Sequence, residues 1–265
     1  MTSTALDPLF VATDSDTFTE RHLANLIAGT RAAVRVPHFL TPTECQAAMA
    51  ALDRLPTADY DPTRVPTPIV RFGPALNDYR TPGATLDTSR YWPAADNARQ
   101  AWQHAALRPD PIAIALGRLG SAWGAAVLPA TIGGRPVFGG TLREINAGAL
   151  IHYDDIAREF PSGLFDQEVV AQLAFNVWVT APSGGGATTV WRHRWEPADE
   201  QHRQAYGYRP EAVEHAQPVS LTPQSGDALL FNPANFHAVE PNTGRRIAFA
   251  FFLGLTTAGQ LIAWS

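Results

Sequence analysis

The chain has 265 residues, 45% of them hydrophobic and 10% aromatic, which is enough for one domain with a substantial core. A formal net charge of −5 without any basic run argues against nucleic acid or an anionic membrane as partner and leaves a small molecule as the expected substrate. One cysteine, Cys45, excludes an internal disulfide framework and any cysteine-rich metal site. With no apolar stretch of 18 residues and no signal-peptide pattern, a soluble, unprocessed cytoplasmic protein is expected.

In chain order, the first 25 or so residues are mixed and compatible with helix. Val36 to Leu40 reads as a short extended entry to a helix with Thr41 or Thr43 as N-cap and an Ala-rich run from Cys45 to Leu55, which Pro56 ends. Residues 56 to 95, rich in Pro, Asp and Thr, predict a long ordered loop with short pieces of strand such as Ile69 to Phe72. Ala95 to Ala106 and Pro111 to Ala126 predict helices, the second with apolar residues at helical spacing. From Val137 onward the pattern changes to short β-type runs: Thr141 to Asn146, Val169 to Thr180, Ala187 to Trp195, Val219 to Leu221, Asp227 to Phe231 and Arg246 to Leu255. Helices first and strands afterwards predict an α+β domain. Its core would be a double-stranded β-helix, a jelly roll of the cupin type, with N-terminal helices packed on one sheet. Residues 1–136 would be mainly helices and loops of this single domain, and 137–265 the jelly roll.

Two strands carry a readable division of faces. Along Gln172 to Thr180, Leu173, Phe175, Val177 and Val179 point one way, while Gln172, Ala174, Asn176 and Trp178 point the other. Trp178 in that second row favours a ligand-lined cavity over open solvent, which makes Gln172, Asn176 and Trp178 candidate cofactor-binding residues. On the last strand Arg246, Ala248, Ala250 and Phe252 share a face. Two alanines behind an arginine leave room for a small dicarboxylate, whose far carboxylate the planar guanidinium can hold through two parallel hydrogen bonds. Parity selects Arg246 over Arg245.

The candidate catalytic residues are His152, Asp154 and His237. One His-x-carboxylate and one distant His form the three-ligand set that holds non-haem Fe(II) on one face and leaves the opposite face open. Eight histidines and 25 acidic residues produce a His-x-Asp/Glu about 0.75 times by chance, so the setting must decide. His152 and Asp154 are expected at the end of the Thr141 strand and His237 at the start of the strand after Asn232-Pro233-Ala234-Asn235, both near loops where sites are built. His193 is the substitute ligand to weigh, because it falls on a strand. His22, His38, His104, His202 and His215 read as ordinary polar residues. No Gly-x-Ser-x-Gly elbow is present, and Gly184-Gly185-Gly186 lacks the Lys-Ser/Thr of a phosphate loop.

The segments VPHFLTPTEC, HYD, VWVTAP with its Gly-rich hairpin, SGDALLF and HAVEPNTGRRIAFAFF occur in an order that resembles the Fe(II)/2-oxoglutarate-dependent oxygenases. The spacing of nine from His237 to Arg246 resembles the prolyl-hydroxylase pattern of distal His and cosubstrate Arg. Ile145 stands where some of those enzymes have a cosubstrate-binding Tyr. Over most of the chain TLREINAG, QLAFNVWVTAPSGGG, HRWEP and the terminal AWS resemble the stand-alone hapalindole-type alkaloid halogenases and their hydroxylating relatives, including N-acyl amino acid hydroxylases. The resemblance implies Fe(II) at His152, Asp154 and His237, 2-oxoglutarate anchored by Arg246, and O2 as cosubstrate. The halogenases have Gly where this chain has Asp154, so hydroxylation or a related oxidation of an unactivated C–H bond is implied, and not halogenation. Substrate contacts are expected from residues 155 to 168, 56 to 95 and 196 to 218, with Arg158 and Arg80 as candidate carboxylate anchors. A metal-dependent cupin without 2-oxoglutarate and a non-catalytic small-molecule-binding jelly roll stay open as alternatives, since fold alone never fixes function.

Overall fold

The computed structural model describes residues 10–52, 54–60 and 65–265. Four longer helices form where capping signals are strong: α1 (Glu20–Ile27), α2 (Pro42–Leu52), α3 (Thr88–Ala105) and α4 (Pro111–Trp123). Thr41 begins α2 in a reciprocal box, its hydroxyl accepting from the Glu44 N–H while the Glu44 carboxylate accepts from the Thr41 N–H. The extended entry expected at Val36 to Leu40 lies earlier, at Ala33–Val36; His38 at φ +53° turns the chain instead. Helix α3 starts seven residues before its expected first residue. Its Asp87 cap accepts from the Arg90 N–H, and burial of Tyr91 and Ala95 carries the helix across Pro93, which forgoes one backbone bond.

Eleven strands matter for the site: β1 (Ala33–Val36), β2 (Ile69–Phe72), β3 (Thr141–Ile145), β4 (Ala149–His152), β5 (Val169–Thr180), β6 (Thr188–Arg194), β7 (Pro218–Leu221), β8 (Ala228–Phe231), β9 (Asn235–Val239), β10 (Ile247–Thr256) and β11 (Leu261–Trp264). The main sheet runs β1-β8-β5-β10-β3-β2, with β11 also on β10. The N-terminal half supplies strands at both of its edges. A smaller sheet runs β4-β9-β6-β7.

Side-chain alternation on β5 and β10 separates two environments. Phe175, Val177, Phe249 and Phe251 pack in the large core with Leu23, Leu26, Ala48, Tyr91 and Leu119 of the helices. Phe175 and Phe251 are stacked with centroids 4.7 Å apart. On the opposite face Ala174, Trp178, Leu229 and Ala248 meet Val190 and Leu221 of the smaller sheet. Helices therefore cover one face of the main sheet and the second sheet covers part of the other.

One expectation is corrected. His152 does not end the Thr141 strand; β3 stops at Ile145 and the chain crosses to the other sheet through Asn146-Ala147-Gly148 before β4 begins. Gly148 makes the crossing at φ +84°, and a Cβ there would lie 2.7 Å from the Val239 carbonyl oxygen.

Gly148→Ala should therefore cost more stability than Gly163→Ala, which has the same φ of +84° and nothing within 4 Å of its Cβ. Strain alone is about 1–2 kcal/mol in each, and the clash at Gly148 adds about 1–3 kcal/mol more. Urea denaturation of the two variants checks the difference.

Candidate active site

His152 closes β4 and His237 lies in the middle of β9, and the two residues are direct partners in the antiparallel register. Their rings come within 4.2 Å, centroid to centroid. Asp154, two residues beyond His152, is tied down by its own N–H, which donates to the Pro233 carbonyl at 2.9 Å. Tyr153 between them packs on Phe236 at 5.6 Å. The carboxylate oxygen Oδ2 of Asp154 lies 3.3 Å from His237 Nε2 and 3.9 Å from His152 Nε2. The three ligand atoms all fall within 4.8 Å of one another.

Each imidazole is oriented in the same way. His152 Nδ1 lies 2.7 Å from the Leu150 carbonyl and His237 Nδ1 3.0 Å from the Asn235 carbonyl, in both cases two residues back along the strand. A carbonyl only accepts, so Nδ1 carries the proton and Nε2 presents a lone pair, the arrangement a metal requires. Burial, with the adjacent His237, pushes the His152 imidazole down to about 4, so it is neutral at pH 7. Burial alone would raise the Asp154 carboxyl. The histidines and the Arg143 charge outweigh that and hold it well below the usual carboxylate range. Two imidazole Nε2 atoms and one carboxylate, grouped within 4.8 Å of one another, thus fit a divalent cation.

The set opens into a cavity of about 260 Å³ between the sheets. Arg246, 4% exposed, lines it. Its Nε donates to the Gly186 carbonyl and its Nη2 to the Thr188 hydroxyl, each at 3.0 Å, and among the described residues no carboxylate pairs with it. Burial lowers its guanidinium to about 10, which leaves it charged. Arg245 points elsewhere, making two hydrogen bonds to Glu144 at 3.0 and 2.8 Å. Gln172 and Asn176 line the cavity, and the side-chain Oε1 of Gln172 accepts from the Ile156 N–H at 2.9 Å, fixing the turn after the ligand segment. Trp178 is fully buried beneath Arg246, 5.7 Å from the guanidinium, and meets that side chain instead of the open cavity.

Arg158 and Arg80 lie off the cavity. Arg158 covers the Trp195 ring at 4.0 Å and pairs with Asp155 at 3.6 Å, while the Arg80 Nε donates to the Glu159 carbonyl. Neighbouring loop groups hold both, so neither reaches inward. His193 is engaged elsewhere, 3.0 Å from Asp199 and stacked on Phe236. The residues missed were Arg143, Tyr60, Asp78 and Tyr206, all lining the cavity. Arg143 had a signal: on β3 it shares parity with Thr141, which pairs with Ala250, so the face that selects Arg246 selects Arg143 too. The three loop regions expected to touch substrate all contribute, through Asp78, Glu159 and Tyr206.

A family model described as carrier-protein-independent halogenase WelO5 matches residues 147–264. An L-gamma-glutamyl-L-propargylglycine hydroxylase from Streptantibioticus cattleyicolor is 53% identical over 258 residues, 97% of this chain and 96% of that protein. Leucinostatins biosynthesis cluster protein S of Purpureocillium lilacinum is 32% identical over 146 residues, half of this chain and 59% of its own length. Among solved structures, an N-substituted L-amino acid dioxygenase from Burkholderia ambifaria superposes with a TM-score of 0.64 at 18% identity, covering 94% of this chain and 92% of that one.

A pH effect follows from His152. The unfolded imidazole titrates at 6.5 and the folded one near 4, so between those values the unfolded chain holds one more proton and acid favours unfolding. In chelator-treated protein this stability is complete above pH 6.5 and declines towards pH 4, by at most about 1.4 kcal/mol per pH unit. The depressed carboxyl of Asp154 adds a loss only below its unfolded value of 3.8. Urea midpoints at pH 7, 6 and 5 should fall in that order, and the His152→Asn variant should show a flatter series.

Proposed function

The chain belongs to the Fe(II)/2-oxoglutarate-dependent oxygenases, and we propose that within this family it hydroxylates a γ-glutamyl or otherwise N-substituted L-amino acid. The hydroxylase activity accords with the relative matched over nearly the whole chain, whose name specifies a γ-glutamyl amino acid. The observation that carries the reading is the open set of His152, Asp154 and His237 beside a buried Arg246 that has no carboxylate partner among the described residues. In this reading the two facing sheets are the double-stranded β-helix, and the whole chain is one oxygenase domain working on a small molecule in the cytoplasm. Neither nucleic acid nor a membrane is a partner.

His152 Nε2, His237 Nε2 and a carboxylate oxygen of Asp154 would hold Fe(II), which when bound supplies the place where 2-oxoglutarate and O2 react. Across the reaction 2-oxoglutarate becomes succinate and CO2. One oxygen atom enters succinate and the other replaces hydrogen in the C–H bond as hydroxyl. Arg246 holds the far carboxylate of 2-oxoglutarate in a pocket that Gly186 and Thr188 pre-shape, so the guanidinium is oriented before the anion arrives. Ala248 and Ala250 keep the floor beside it low. Asp154 fills the position that a glycine leaves to chloride in the resembling halogenases, which supports hydroxylation over chlorination.

With Fe(II), 2-oxoglutarate and L-γ-glutamyl-L-propargylglycine, we expect a product heavier by one oxygen atom, equimolar succinate, and no chlorinated product in chloride buffer. Turnover that persists without 2-oxoglutarate overturns the reading. Alanine at His152, Asp154 or His237 should abolish both turnover and tight iron binding, the latter read by metal analysis after gel filtration. Arg246→Gln removes a charge-assisted contact of about 1.5–3 kcal/mol and should raise the KM for 2-oxoglutarate about 10- to 100-fold. Arg245→Gln should change it little.

A further inference from the structure

We propose that Arg143 is the anchor for a carboxylate of the substrate, a second anionic subsite beside the one at Arg246. This deepens, and rests on, the reading of the site as an oxygenase of amino acid derivatives.

The register places Arg143 in the middle of β3, paired with Ala248 of β10 on one side and Arg71 of β2 on the other. Ala248 in turn pairs with Trp178, the residue beneath Arg246. Both arginines therefore belong to the cavity face of the main sheet, separated by one small side chain, and both line the cavity.

The other charges around the cavity are already engaged. Asp78 pairs with Arg71 at 2.6 Å, and Asp154 belongs with the two histidines. Arg246 is the cosubstrate's anchor, and 2-oxoglutarate has only one carboxylate remote from the metal. Arg143 forms no ion pair among the described residues, and its Nε is buried without a hydrogen-bond partner. Burial disfavours its charge, while the Tyr60 hydroxyl, with which it hydrogen-bonds, and the charges of Asp154 and Asp78 favour it, and neither carboxylate closes on it in an ion pair. A guanidinium kept in a closed site with an unmet donor is costly unless an anion completes it. An amino acid derivative brings such an anion, and a planar carboxylate accepts from a guanidinium through two bonds at once. The position next to Asp154 also presents the anchored residue of the substrate to the metal side of the cavity. The chief competing source for the same chemistry is the carboxylate at the 2-oxo acid end of 2-oxoglutarate.

The test is calorimetric, with Fe(II) and 2-oxoglutarate present and O2 absent. The probes are L-γ-glutamyl-L-propargylglycine with each of its two carboxylates amidated in turn, and N-acetyl-L-leucine with its amide. On the unaltered enzyme, removing one particular carboxylate should weaken binding about 10- to 100-fold, a comparison that needs no variant to fold. Arg143→Gln should weaken the acid by a similar factor and leave that amide unchanged, with Arg143→Lys between them and the affinity for 2-oxoglutarate unaltered. Equal binding of acids and amides by the unaltered enzyme overturns the inference. So does binding of none of the acids, or an Arg143→Gln variant that loses 2-oxoglutarate while it still distinguishes acid from amide; in that last case the carboxylate belongs to the cosubstrate. If N-acetyl-L-leucine shows the acid preference and the γ-glutamyl dipeptide does not bind, the dipeptide substrate is wrong while Arg143 keeps its role.

Discussion

The antiparallel pairing of β4 with β9 is the constraint on which the site depends. It sets His152 opposite His237, although 85 residues separate them in sequence. A slip of one residue would turn one imidazole to the far side of the sheet. The crossing at Gly148, the bond from the Asp154 N–H to the Pro233 carbonyl, and the two Nδ1 contacts to strand carbonyls all serve this one register. The last of these matters chemically as well as mechanically. Because each ring uses its own strand's backbone as hydrogen-bond acceptor, the same geometry that fixes the ring also fixes the tautomer.

The main sheet contributes in a different way. Its long strands bury both faces, one against helices and the other against the cavity, so polar residues on the second face stand in a closed space instead of in water. That explains how Arg246 can be almost fully buried. Its cost is reduced by the Gly186 carbonyl and the Thr188 hydroxyl, both fixed by the hairpin and strand opposite. The glycines there allow the close approach: a Cβ on Gly186 would lie 3.1 Å from the Arg246 side chain. Packing and recognition are thus achieved by the same strands, with parity deciding which residue does which.

Parity is also what made parts of the fold legible in the sequence. Val169–Thr180 is long and alternates cleanly, and its ends agree with the expectation; β10 alternates as clearly, and its face assignment distinguishes Arg246 from Arg245. The metal-type ligands were legible because chemistry restricts which residues can occupy such positions. Strand β4 was not, since Ala149–His152 is four residues long and follows so closely on β3 that one strand accounts for both; only pairing with a distant β9 distinguishes them. The start of α3 was hidden by Pro93, because local rules read proline as a boundary while burial of Tyr91 outweighs it. Arg80 and Arg158 sit on loops, where no periodicity tells inward from outward. Arg143 shares the parity of Arg246, but only the pairing of β3 with β10 puts the two on one face.

The family match and the near-full-length match speak for different parts of the cavity. The family model begins at residue 147, so it contains the three ligand residues and Arg246 but stops short of Tyr60, Asp78 and Arg143. Those belong to β3 and to the segment that folds over it. A chain could keep everything inside the matched segment and still present a different outer cavity. The hydroxylase that is 53% identical spans both regions. Its likeness therefore covers cavity residues that the family match does not reach, and the boundary between the two regions lies where β3 sets Arg143 beside the strand that begins just after Arg246.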